Sequence, residues 1–86
     1  MSYQVIIPKP VVKQLDLLPS VVRDPILKKI ADLKEAPRPR GCVKLKGYDG
    51  EFRIRIGYYS IRYLVDDGQS VVVILDCLHR REVYRK

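Results

Sequence analysis

The sequence predicts an α+β domain with the element order β-α-α-β-β-β, a helical hairpin packed on one face of a mainly antiparallel four-stranded sheet. Three observations lead there. Apolar residues recur at helical spacing between Val11 and Leu33, with a Pro-Ser break in the middle. Apolar and polar residues alternate from Phe52 to Val65, and turns rich in Gly and Asp bound the runs on either side. The chain has 86 residues, so one domain over residues 1–86 is expected, with a thin but feasible core.

Residues 3–7 form a short β-type run that Pro8 stops. Pro10 suits the first turn of a helix, where its missing N–H does no harm. Val11, Val12, Leu15 and Leu18 then give one helical face. Pro19 breaks this helix and Ser20 is expected to cap a second. Pro25 is awkward there, because it removes one hydrogen bond unless the helix starts later with Asp24 as its cap. Ile26, Leu27, Ile30 and Leu33 continue the apolar stripe to about Glu35. The segment APRPRG that follows reads as a stiff basic linker. Val43 and Leu45 alternate with Lys44 and Lys46, a weak strand signal, and GYDG is a turn. Residues 52–56 and 59–65 read as strands joined at Gly57-Tyr58, and Asp66-Asp67-Gly68 as a second hairpin turn. Residues 71–78 are apolar on both faces, which marks a central strand.

Composition narrows the function classes. An apolar fraction of 47% argues against disorder. No segment approaches the ~20 apolar residues of a membrane span. The start MSYQVIIPKP lacks the features of a signal peptide, so a cytoplasmic protein without membrane partners is expected. Cys42 and Cys77 match no metal spacing and read as reduced thiols. With one histidine, no Gly-rich phosphate loop and no nucleophile elbow, neither a metal enzyme nor a nucleotide-binding one is expected, and no cofactor. The net charge is +7. It is uneven: the segments 38–62 and 79–86 are strongly basic, and the apolar stretch between them carries three acids and no base. That pattern points to a localised positive site that suits a polyanion.

Strand alternation sets Phe52, Ile54 and Ile56 on one face and Arg53 and Arg55 on the other. A two-residue loop at Gly57-Tyr58 pairs Ile56 with Tyr59, Ile54 with Ile61 and Phe52 with Tyr63, matching apolar partners at each step. The same register places Arg55 opposite Ser60 and Arg53 opposite Arg62. Like charges directly opposite are destabilising unless an anion sits between them, and arginine binds phosphate in bidentate fashion. His79, Arg80, Arg81 and Tyr84 follow the central strand. A two-residue turn at Asp67-Gly68 places His79 on the arginine face, and a three-residue turn places Arg80 there instead.

The run KLKGYDGEFRIRIGYYSIRY, with HRREVY near the C-terminus, resembles the RelE family of the wider RelE/ParE group of type II toxin–antitoxin systems. The helical hairpin followed by three strands extends the resemblance over nearly the whole chain. The resemblance implies a ribosome-dependent, metal-independent endoribonuclease that enters the A site, cuts messenger RNA there and so inhibits translation. It implies a cognate, RelB-like antitoxin as partner, with operator DNA met only through the antitoxin complex. The chemistry it implies is attack of a 2′-hydroxyl on the adjacent phosphate with loss of the 5′-oxygen, which needs a base, an acid and cations around the phosphate. Arg53 and Arg55 match the family's basic pair, Arg80 its phosphate-stabilising arginine and Tyr84 its C-terminal catalytic tyrosine. His79 or Tyr84 is expected to transfer the proton. Lys44, Lys46, Arg62 and Arg81 are expected to contact the RNA around that centre. Ser60 stands where the family commonly has an arginine and Leu78 where it has a glycine, from which reduced activity is expected. Two other readings remain open: a ParE-like inhibitor of DNA gyrase, and a weakened toxin acting mainly as an antitoxin-binding co-repressor.

Overall fold

The structure, a computed structural model, describes residues 2–83 apart from Lys46 and Tyr48, with no account of the Glu82 and Val83 side chains. The element order is β1 (Gln4–Ile6), α1 (Lys9–Asp16), α2 (Ser20–Asp32), β2 (Val43–Lys44), β3 (Glu51–Ile56), β4 (Tyr59–Asp66), β5 (Val71–His79) and α3 (Arg80–Val83). The strands form one sheet in the order β1-β5-β4-β3-β2. β1 runs parallel to β5, and the other neighbours are antiparallel. The α+β class and the helical hairpin on one sheet face are as expected. The sheet nevertheless has five strands where the sequence suggested four, because the weak signal at Val43 becomes an edge strand. Val43 and Lys44 pair with Arg53 and Phe52, and the Leu45 N–H donates to the Glu51 carbonyl at 3.0 Å.

Helices α1 and α2 each start from an extended proline. Pro8 (φ −61°, ψ 154°) precedes α1, and Pro10 occupies its first turn. Pro19 (φ −59°, ψ 149°) precedes α2, so Ser20 is the first helical residue rather than the cap. Pro25 lies inside α2, where it cannot donate to the Val21 carbonyl in the exposed opening turns. The helices turn Val11, Leu15, Ile26, Ile30 and Leu33 onto Phe52, Ile54, Ile61, Tyr63, Val65, Val72, Ile74 and Cys77 of the sheet. Leu27 and Val12 fall beside that stripe and are about 39% exposed. Burying five helical and eight sheet side chains is the main source of stability. Among the described residues no helix is long and apolar enough to cross a membrane.

The basic linker between α2 and β2 is pinned to this core. The fully buried Tyr63 hydroxyl donates to the Pro37 carbonyl at 2.8 Å. Burial pushes its phenol pKa far up, so it stays a neutral donor. Arg38 lies over the Phe52 ring, 5.3 Å from its centroid, and donates to Asp67 at 2.6 Å. Asp67 also accepts from the Tyr3 hydroxyl at 2.7 Å, so one carboxylate ties the linker and the segment before β1 to the β4–β5 loop.

The β3–β4 hairpin has the register read from the sequence, from Phe52↔Tyr63 to Ile56↔Tyr59. Gly57 has φ +60°, the positive value that a type II′ turn requires at its first central position. The β4–β5 hairpin differs from expectation. Its loop spans four residues, 67–70, and a bulge follows: Tyr63 pairs with Ile74 while Arg62 pairs with Asp76, leaving Leu75 unmatched. Past the bulge Leu78 faces Ser60 and His79 faces Tyr59. His79 therefore lies on the helix side of the sheet with Ile56 and Tyr59, and Arg80 follows in the parity of the arginine face, where strand gives way to α3.

Candidate functional site

The predicted site residues separate into three groups. The first lies where the β3–β4 turn meets the end of β5. The Arg80 N–H donates to the Tyr58 carbonyl at 2.6 Å, which ties the start of α3 to the turn. The Arg80 guanidinium lies over the Tyr58 ring, 5.5 Å from its centroid. His79 meets Tyr59 edge-on, with ring centroids 5.2 Å apart, and lies 6.3 Å from Tyr58 at a 31° tilt. Its Nδ1 accepts the Arg81 N–H at 3.2 Å, which sets the neutral ring's proton on Nε2. Arg55 joins this group through its Nε, which donates to the Gly57 carbonyl at 3.4 Å. One end of the sheet therefore holds two guanidiniums, an imidazole and two tyrosine rings on short backbone segments.

The second group lies mid-strand. Arg53 is half-buried between Val43 and Arg62 and makes no ion pair among the described residues. Arg62 is engaged within the protein. Its Nη2 and Nε donate to Asp76 Oδ2 at 2.9 and 3.1 Å, and its Nη1 to Glu51 Oε1 at 3.4 Å. Contrary to the sequence expectation, the facing arginines do not demand an external anion. Two carboxylates of the fold already lie beside Arg62, one from the neighbouring strand and one from the start of β3. Asp76 Oδ1 is buried and has no hydrogen-bond partner among the described residues.

The third group is peripheral. Lys44 pairs with Phe52, so it belongs to the helix side of the edge strand, opposite in parity to Arg53. Arg81 is exposed on α3. Lys46 and Tyr84 lie outside the described residues. Among the described residues no three His, Cys, Asp or Glu side chains come together as metal ligands.

Sequence reasoning missed Tyr58 and Tyr59 as parts of this end of the sheet, and Glu51 and Asp76 as partners of Arg62. Both had a signal. A large aromatic at the tip of a two-residue hairpin turn has no turn-forming role, since small polar residues serve there. Asp76 is the one acid in an otherwise apolar central strand, where a charge needs a partner.

Three comparisons bear on these features. Residues 5–84 match the family model described as the ParE toxin of the type II toxin–antitoxin system, parDE. Toxin RelG of Mycobacterium tuberculosis is 36% identical over 55 residues, a match that spans 64% of this chain and 63% of that protein, under two thirds of its length. The fold superposes on the RelE–RelB complex of the archaeon Pyrococcus horikoshii with a TM-score of 0.84 and 33% identity, covering 100% of both chains. It superposes on the toxin–antitoxin complex RelBE2 of Mycobacterium tuberculosis with a TM-score of 0.79 and 29% identity, covering 93% of this chain and 100% of that one.

Proposed function

The chain belongs to the ParE toxin family of the RelE/ParE group of type II toxin–antitoxin toxins, and from that membership we propose that it is a ribosome-dependent endoribonuclease cutting messenger RNA in the A site. The observation that carries this reading is the grouping of Arg55, His79 and Arg80 at the β3–β4 turn, where Arg80 is tied to Tyr58 through both backbone and ring. An imidazole and two guanidiniums at one end of the sheet offer the proton-transfer group and the cations that phosphoryl transfer uses, and an inhibitor that acts by binding alone has no need of that set.

In this mechanism the nucleotide's 2′-oxygen attacks the adjacent phosphorus. The 2′-O–P bond forms, the P–O5′ bond breaks, and the products are a 2′,3′-cyclic phosphate and a 5′-hydroxyl. Negative charge builds on the phosphorane oxygens, and Arg80, Arg55 and Arg53 stabilise it as permanently charged donors. His79 or Tyr84 carries the proton transfer, in which the 2′-hydroxyl proton is removed and the leaving 5′-oxygen is protonated in turn. A tyrosine serves as a base only where nearby cations favour its phenolate. The site residues themselves provide charge and proton transfer for this chemistry.

A cognate antitoxin is the proposed partner, since the structural relatives are RelE–RelB assemblies. A second reading, a gyrase-binding toxin without nuclease activity, draws on one observation: Arg62 spends its charge on Asp76 and Glu51, leaving fewer cations for a phosphate. The two are separated by adding purified protein to ribosomes that carry a defined message. The nuclease reading predicts cleavage at the A-site codon, with Arg80→Ala and Tyr84→Phe each slowing it by about a hundredfold or more at unchanged fold. An intact message together with inhibited gyrase supercoiling would establish the second reading instead.

A further inference from the structure

Tyr58 is 64% exposed at the tip of the β3–β4 hairpin, while its neighbour Tyr59 packs against the core. A type II′ turn prefers small or polar residues at its second central position, so neither turn chemistry nor core filling accounts for an aromatic there. Three planar groups gather at this point. The Arg80 guanidinium lies 5.5 Å from the Tyr58 centroid, and the His79 ring lies 6.3 Å away. The platform is also held firmly. Gly57 sets the turn, and the Tyr58 carbonyl accepts the Arg80 N–H at 2.6 Å. The ring is thus presented from a short, fixed stretch of backbone, with the Arg80 guanidinium beside it.

We propose that Tyr58 is a stacking platform for one nucleobase of the RNA, a reading that rests on the nuclease function above. Single-stranded RNA is recognised largely by stacking its unpaired bases on aromatic and guanidinium planes. Such stacking tolerates any base, because every base has a π-face. The adjacent Arg80 and Arg55 hold the phosphate, and the ring fixes the rotation of the same nucleotide about its backbone. That orientation brings the 2′-oxygen into line with the P–O5′ bond. Tyr58 is a binding and positioning residue here. It exchanges no proton.

The test uses full-length protein and ribosomes programmed with messages that are intact or abasic at one A-site codon position in turn. Tyr58→Leu should raise the concentration for half-maximal cleavage about tenfold. Tyr58→Phe and Tyr58→Trp should stay near wild type, because stacking needs the ring and not the hydroxyl. On the message lacking the stacked base, wild type and Tyr58→Leu should cleave alike. Wild-type cleavage with an unaffected Tyr58→Leu overturns the platform. So does a Tyr58→Leu defect that persists on all three abasic messages, since Tyr58 would then act only by holding Arg80. A wild-type protein that cuts no message removes the nuclease reading and the platform with it. Thermal melts of each variant confirm folding, which the exposure of the ring makes insensitive to these changes.

Discussion

Replacing Arg62 with leucine should destabilise the fold by about 2 kcal/mol, more than an exposed arginine ordinarily contributes. Arg62 donates to Asp76 at 2.9 and 3.1 Å and, through a longer bond, to Glu51 at 3.4 Å. The side chains of Asp76 and Glu51 are only 21% and 17% exposed, whereas that of Arg62 is 41% exposed. Removing the arginine therefore strands two mostly buried carboxylates. A hydrogen bond to a charged group contributes roughly 1.5–3 kcal/mol when well formed. The 3.4 Å bond is weak, and solvent at Arg62 screens the pair, which brings the sum down to about 2 kcal/mol. For a domain of this size that corresponds to a Tm lower by about 10 °C. The assay is urea unfolding of the wild type, Arg62→Leu, Asp76→Leu and the double variant. The double variant should recover part of the loss, with a coupling of about 1–2 kcal/mol, because Asp76 is then no longer left as a lone charge and only the weakly bonded Glu51 remains. Additivity to within about 0.5 kcal/mol would refute the claim that Arg62 is neutralised inside the fold.

Other outcomes follow from single contacts. Gly50→Ala should be destabilising by about 2 kcal/mol or more in chemical unfolding: Gly50 has φ +74°, and an added Cβ would lie 2.8 Å from the Val65 carbonyl oxygen, on backbone that cannot move aside. Tyr63→Phe should cost about 1–2 kcal/mol, because the Pro37 carbonyl loses its buried donor; an unchanged urea midpoint would contradict this. Asp67 has its pKa held below the ordinary value by the Arg38 hydrogen bond first and the Tyr3 hydroxyl second. A depressed folded-state pKa gives stability that is present above about pH 4 and lost as pH falls through the folded value. Asp67→Asn should therefore flatten the acid limb of the stability profile below about pH 4 and leave its shape at neutral pH unchanged.

The β3–β4 register was legible because the two-residue turn and the apolar matching of Ile54 with Ile61 and Phe52 with Tyr63 agree. The helices were legible from Val11, Leu15, Ile26, Ile30 and Leu33, which keep helical spacing across the break. The start of α2 was not, because extended Pro19 takes the position assigned to Ser20. The β5 register was hidden for a physical reason. Val71 to Leu75 is apolar throughout, so no alternation signals a face, and neither the four-residue loop nor the bulge at Leu75 leaves a mark in such a run. That one-residue shift sets Asp76 beside Arg62 and turns His79 to the helix side. The edge strand β2 is only two residues long, too short for its alternation to stand out. Of the site, the pairing of Arg53 with Arg62 was readable from the strand pattern, and its neutralisation was not. The latter depends on an acid brought in from another strand.

The most direct measurement is cleavage of two messages on programmed ribosomes, one all-RNA and one with a 2′-deoxy nucleotide at the scissile position of the A-site codon. The account predicts that the wild-type protein cuts the first to a 2′,3′-cyclic phosphate and a 5′-hydroxyl and leaves the second whole. Cleavage of both messages, or of neither, would contradict it.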